Sequence, residues 1–192
     1  MRVIVEVLLN NKRLVKGTRF KDHIYIGDPE NIIKLYNELK VDELVVCQIG
    51  SLSPAENKNF LMRLSEQAFM PVCYCGNLES VEDIDQIFSM GFDKIRFTSA
   101  LYFNTKLIEY TIDRYGRQAV VLGIDLISSF WRSGLKARVS NKKNTKLVNY
   151  QQLLDLSISL NPCEILIRAV DEEGTMRGLN KAVVDICSKA SE

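Results

Sequence analysis

Five cysteines and a single histidine are the residues whose chemistry can be weighed first in this sequence. Cys47, Cys73, Cys75, Cys163 and Cys187 form no CxxC pair. Only Cys73 and Cys75 are closely spaced, and in a strand their two sulfurs share one face. A metal centre would need further ligands, and His23 is the only imidazole, so no metal site is expected. The thiols read as buried side chains on strands of a protein in a reducing cytosol, hence a cytoplasmic one. Asp22 precedes His23 and Tyr25 lies two residues on. A histidine can act as a general base near neutral pH. With no nucleophile or second ligand nearby in sequence, a solvent-exposed loop histidine is the simpler reading. Phe130 and Trp131 could stack on a substrate ring or simply cover the top of the fold.

The elements that must position these residues follow from the hydrophobic pattern. Short β-branched runs alternate with longer amphipathic stretches. The pattern predicts strands at 3–9, 43–47, 72–75, 94–97, 119–124 and 164–167. Helices are predicted at 29–40, 54–67, 80–90, 106–115, 150–160 and 180–189, each with apolar residues at three- and four-residue steps. Asp28-Pro29 and Ser80 followed by Asp83 mark helix starts. Strand then helix, six times, implies a parallel sheet with right-handed crossovers. The even spacing predicts an α/β fold of the (β/α)8 TIM-barrel type, with about six βα units. A doubly wound sheet is the rival, but a long polar loop and no glycine-rich fingerprint follow the first strand. A second long loop, 128–145, has a possible hairpin at 135–139.

The 192 residues carry 25 Lys and Arg against 24 Asp and Glu, a net charge of +1, and are 46% hydrophobic. Near-neutral charge argues against nucleic acid as a partner. No apolar run approaches the ~18 residues of a membrane helix, and no signal peptide is read at the N-terminus. The expectation is a single barrel domain over residues 1–192, incomplete at its C-terminus if two units are absent, since eight units typically need ~250 residues. Strands one and six would then present unpaired edges prone to self-association.

Several segments together resemble the cyclase subunit of imidazole glycerol phosphate synthase, the barrel of histidine biosynthesis. They are Arg13-Leu14-Val15-Lys16-Gly17-Thr18, Gly27-Asp28-Pro29, Val41-Asp42-Glu43-Leu44-Val45, Asp93-Lys94-Ile95, Gln118 to Val121 with Ile124-Asp125, Lys142 to Thr145, and Asp171-Glu172-Glu173-Gly174-Thr175. Seven segments in register span the whole chain. The resemblance implies a lyase-type cyclase that takes ammonia from a glutamine amidotransferase partner through the barrel. It also implies a bisphosphorylated ribulosyl substrate at the top, and no cofactor. Asp125 matches one of two strand-end aspartates that act as acid and base, although a loop cap would look the same. Lys16 matches a lysine that closes over substrate, or is an ordinary solvated lysine. Gly76, Thr98, Ser99, Glu173 and Gly174 match substrate- and phosphate-binding positions.

The departures from the family pattern concentrate on that chemical face. Leu8 stands where the first catalytic aspartate is expected, with Glu6 on the same strand face about 6–7 Å deeper. Gln48 replaces a substrate-facing aspartate, and only Gly76 remains of a triple-glycine loop. Arg96 and Arg168 replace small residues pointing inward, and two inward arginines need partners, Glu6 being a candidate. The opposite face agrees with the family. Arg2, Glu43, Lys94 and Glu164 match four charges that gate the ammonia entrance, and Asp93 and Gln118 match residues facing the glutaminase. A working ammonia-using subunit, a sugar-amidinating subunit for surface polysaccharides and a catalytically degenerate partner-binding scaffold all remain open at this point.

Overall fold

The structure is a computed structural model that describes residues 2–128, 134–141 and 144–190. Phe130, Trp131, Lys142 and Lys143 lie outside the described residues. In chain order the elements begin with strands β1 (Ile4–Asn10), β2 (Arg13–Thr18) and β3 (Lys21–Gly27), then helix α1 (Pro29–Leu39). β4 (Glu43–Gln48), α2 (Pro54–Gln67), β5 (Val72–Cys75), α3 (Val81–Ser89) and β6 (Lys94–Phe97) follow. Next come α4 (Ala100–Phe103), α5 (Thr105–Tyr115), β7 (Val120–Ser128), β8 (Leu135–Ser140) and β9 (Thr145–Val148). The series ends with α6 (Tyr150–Leu160), β10 (Glu164–Ala169) and α7 (Lys181–Ala190).

Six strands run parallel in the order β1-β4-β5-β6-β7-β10. That order follows the chain without a reversal, which is the winding of a barrel and excludes the doubly wound alternative. The expected six strands and six helices are all present. Alternate residues of each strand serve two different cores. Outward-facing Leu44, Val46, Tyr74, Ile95, Phe97, Leu122 and Ile124 pack beneath the helices, with Leu61, Leu64, Ile84, Ile87 and Ile108. Inward-facing Val45, Cys47, Cys73, Cys75 and Val121 form a second cluster joined by Ile4, Leu8 and Leu166. The central strands β4 to β7 are therefore buried on both faces, β4 throughout, whereas β1 and β10 at the ends of the parallel series are mostly half-buried.

Local signals set the helix starts. Asp28 caps α1 ahead of Pro29, and Ser53 with Glu56 and Ser80 with Asp83 form reciprocal capping boxes. The long polar loop expected after the first strand is instead a pair of antiparallel strands, β2 and β3, continuing from β1. Two tight turns join them, with Asn11 and Lys12 and then Arg19 and Phe20 all at positive φ. Paired positive φ values are the backbone of two-residue hairpin turns, here built without glycine. The expected hairpin in the later loop is present as β8 and β9. Among the described residues β10 has one sheet neighbour, β7, so its other edge is open.

Candidate functional site

At the N-terminal end of the strands, four charged side chains close into a ring, Arg2 from just ahead of β1 and Glu43, Lys94 and Glu164 from the first positions of β4, β6 and β10. Arg2 Nη2 donates to Glu43 at 2.8 Å and to Glu164 at 3.0 Å. Lys94 Nζ donates to the same two carboxylates at 2.7 and 2.8 Å. Burial opposes the charge of Lys94, yet its hydrogen bonds to Glu164 and Glu43 hold its pKa above the ordinary lysine value. Burial likewise works against Glu164, and Lys94 and Arg2 bring it below the ordinary carboxylate value. Asp93 and Gln118 lie at this same end. The Asp93 carboxylate accepts from Val72 N at 2.8 Å, and Gln118 Nε2 donates to Tyr115 O at 2.9 Å.

Above the ring, an apolar layer of Ile4, Val45, Cys73, Val121 and Leu166 fills the interior. A chain of alternating charges lies above that. Arg96, fully buried, donates to both oxygens of Glu6 at 2.7 and 2.9 Å. Arg168 donates to Glu6 at 2.9 Å and to both oxygens of Asp125 at 2.8 and 3.2 Å. Strand register makes the last pair unavoidable, because Arg168 and Asp125 are direct partners across β10 and β7. Both inward arginines thus share Glu6, and the four charges cancel.

This arrangement assigns Glu6 a different role from that of a displaced acid. Burial would raise its pKa, but the hydrogen bonds and charge of Arg96, followed by the charge of Arg168, bring it down to about 2. A carboxyl held that low stays ionised and gives up no proton near neutrality. The fold favours the charged form, so its contribution is complete above the ordinary value of 4.5 and is lost as pH falls toward 2. That gap corresponds to roughly 3 kcal/mol. Urea midpoints are therefore expected to fall steeply between pH 5 and pH 2 in the native protein, and far less in Glu6→Gln.

A cavity of about 1220 Å³ opens over this network at the C-terminal ends of the strands. That is ample for a sugar phosphate, since small-molecule sites commonly occupy about 300–1,000 Å³. Asp125, Leu8, Gln48, Gly76, Thr98, Ser99 and Glu173 line it, as do Lys16 and His23 from the hairpin. Lys16 and His23 are exposed at the mouth, and His23 sits on β3, not on a loop. Gln48 is 3% exposed, and neither atom of its amide has a partner among the described residues. The Thr98 hydroxyl is equally unpartnered. Both are free to hydrogen-bond a bound molecule.

Ser99, Glu173 and Gly174 also make contacts that hold the fold itself. Ser99 Oγ donates to the carbonyl of Ser140. Glu173 accepts from Phe20 N at 3.2 Å, and its carbonyl accepts from Arg19 N at 3.0 Å, which ties the hairpin tip down. Gly174 is absent from the described cavity wall. A Cβ there would lie 2.4 Å from the Gly17 carbonyl, so glycine is required for the hairpin to pack. Phe20 itself sits between Arg168 and Arg138, 4.7 and 5.5 Å from its ring centroid. These contacts hold an aromatic residue in a left-handed conformation (φ 61°) that it rarely adopts.

The histidine biosynthesis protein family model matches residues 2–192. This chain belongs to that family. One relative, from Pseudomonas aeruginosa, is provisionally named imidazole glycerol phosphate synthase subunit hisF2. It is 33% identical over 190 residues, covering 96% of this chain and 74% of the relative. The imidazole glycerol phosphate synthase subunit HisF of Clostridium botulinum is 33% identical over 195 residues, covering 97% and 76%. A provisionally named hisF3 subunit from Vibrio vulnificus is 30% identical over 179 residues, covering 92% and 69%. The family is a (β/α)8 barrel of histidine biosynthesis, in keeping with the six parallel units described above. Among the described residues no helix is long and apolar enough to cross a membrane.

Proposed function

We propose that the chain is the cyclase-like subunit of an imidazole glycerol phosphate synthase-type enzyme. In this reading it uses ammonia from a glutamine amidotransferase partner on a phosphorylated ribulosyl or sugar substrate. The closed ring of Arg2, Glu43, Lys94 and Glu164, at the opposite end from Asp125, is the observation that carries it. The partner docks at the ring end, where Asp93 and Gln118 also lie, and ammonia enters there. The apolar layer above admits neutral ammonia and disfavours ammonium, because an unpaired charge is costly to bury. In the cavity Asp125 moves the proton, Lys16 closes over the substrate, and Gly76, Thr98 and Gln48 contact it. A substrate phosphate that takes over Arg168 releases Asp125, since an arginine fork binds phosphate and carboxylate alike.

A second reading, a scaffold that docks the partner without turning over, is favoured by Leu8 and by the Arg168–Asp125 pairing. Lys94→Met separates the two. Under the enzyme reading the ratio of glutamine-supported to ammonium-supported turnover falls at least about tenfold, because both charge-assisted contacts of Lys94 at the entrance are lost. Partner binding with no turnover from either nitrogen source leaves the scaffold.

A further inference from the structure

Two thiols on the cavity floor have no part in that chemistry. Cys47 and Cys75 are direct partners in the parallel register of β4 and β5. Both face inward, and both line the cavity. Neighbouring strands lie about 4.8 Å apart. Residues paired across them fall within the ~4.4–6.8 Å between Cα atoms that a disulfide spans. The next strand continues the row, with Arg96 the register partner of Cys75. Arg96 Nη2 lies 3.6 Å from Cys47 Sγ, so a guanidinium that is itself paired with Glu6 meets one thiol of a pair otherwise set among apolar side chains.

We propose that Cys47 and Cys75 are a redox-active dithiol, which a hydroperoxide entering the cavity closes to a disulfide. The Cys75 thiolate attacks one oxygen of hydrogen peroxide. The S–O bond forms, the O–O bond breaks, and hydroxide leaves to become water with the proton that Cys75 released. The Cys47 sulfur then attacks the resulting sulfenic acid. The S–S bond forms, the S–O bond breaks, and a second water leaves with the Cys47 proton. Two thiols are oxidised by two electrons, and one peroxide is reduced to two waters.

The surroundings divide the roles. The neighbouring Cys47, with the Arg96 charge, draws Cys75 below the ordinary thiol value against the effect of burial. Cys47, beside Cys75 and itself buried, is pushed up. Arg96 is also the register partner of Cys75 across β5 and β6, and we assign Cys75 as the attacking sulfur and Cys47 as the resolving one. Cys73 shares their face, but its register partners are Val45 and Lys94, and burial pushes its thiol up. The exposed Cys163 and Cys187 serve as internal references.

The test exposes the full chain to one equivalent of hydrogen peroxide near pH 7.5. The reaction is quenched by alkylation in denaturant, and the cysteine peptides are mapped by mass. The expected result is a Cys47–Cys75 cross-link, reversed by a dithiol reductant. Cys47→Ser stops at a Cys75 sulfenic acid that dimedone traps. Cys75→Ser gives no cross-link and slows peroxide consumption by the cavity thiols at least about tenfold, because rate follows the thiolate fraction. Alkylated, unoxidised Cys47 and Cys75 in wild-type protein whose Cys163 and Cys187 have reacted would overturn the proposal. So would a cross-link through Cys73.

Discussion

Glu6→Gln is expected to lower the unfolding free energy by about 3–5 kcal/mol, the range seen when one partner of a buried ion pair is removed. The residue accepts three hydrogen bonds, two from Arg96 and one from Arg168. Among the described residues Arg96 has no other carboxylate and its Nε lacks a partner, and its side chain is fully buried. Glutamine keeps the shape and offers one acceptor but no charge, so a guanidinium would be left uncompensated inside the barrel. The double substitution Glu6→Gln with Arg96→Met is expected to recover most of the loss, because Arg168 retains Asp125 and the orphaned charge is gone. Urea denaturation of both variants and the native protein checks this. A single variant as stable as wild type would mean that the two arginines do not depend on Glu6.

Asp125→Asn is expected to reduce ammonium-supported turnover by about 10²- to 10⁴-fold, the usual contribution of a positioned acid or base. The side chain is 7% exposed, at the C-terminal end of β7 on the cavity wall, and both oxygens are held by Arg168. Asparagine preserves one acceptor for Arg168 and the side-chain volume but cannot take a proton. The loss is therefore expected in kcat more than in KM, and the fall in stability is expected to be smaller than in Glu6→Gln because Arg168 keeps Glu6. An equal loss of stability and turnover would reassign Asp125 to the ion-pair network alone.

Much of the scaffold was readable because parallel strands buried on both faces appear as short continuous apolar runs, and the helices between them keep a clear three-to-four period. The β2–β3 hairpin was not readable as such. Every residue of β3 from Lys21 to Ile26 is exposed, so no alternation of burial marks it, and its turns use Asn11-Lys12 and Arg19-Phe20 where glycine would have signalled them. At the site, alternation along β1, β6 and β10 does place Glu6, Arg96 and Arg168 on the inward face. What sequence could not show was that Arg168 and Asp125 meet directly. That contact depends on the register between β7 and β10, which no local pattern encodes. The pairing of Cys47 with Cys75 was hidden for the same reason, because Cys73-Tyr74-Cys75 draws attention within one strand and the partner sits on the next. Phe20 was invisible as a clasp, since its two arginine neighbours come from β8 and β10.

The most direct measurement is ammonium-dependent turnover of the bisphosphorylated ribulosyl substrate by the purified chain. Release of an aminoimidazole carboxamide ribotide with imidazole glycerol phosphate, lost in Asp125→Asn, is the predicted result. A folded protein that binds the glutaminase partner yet forms no product from ammonium would contradict the cyclase reading and leave a changed substrate or a scaffold.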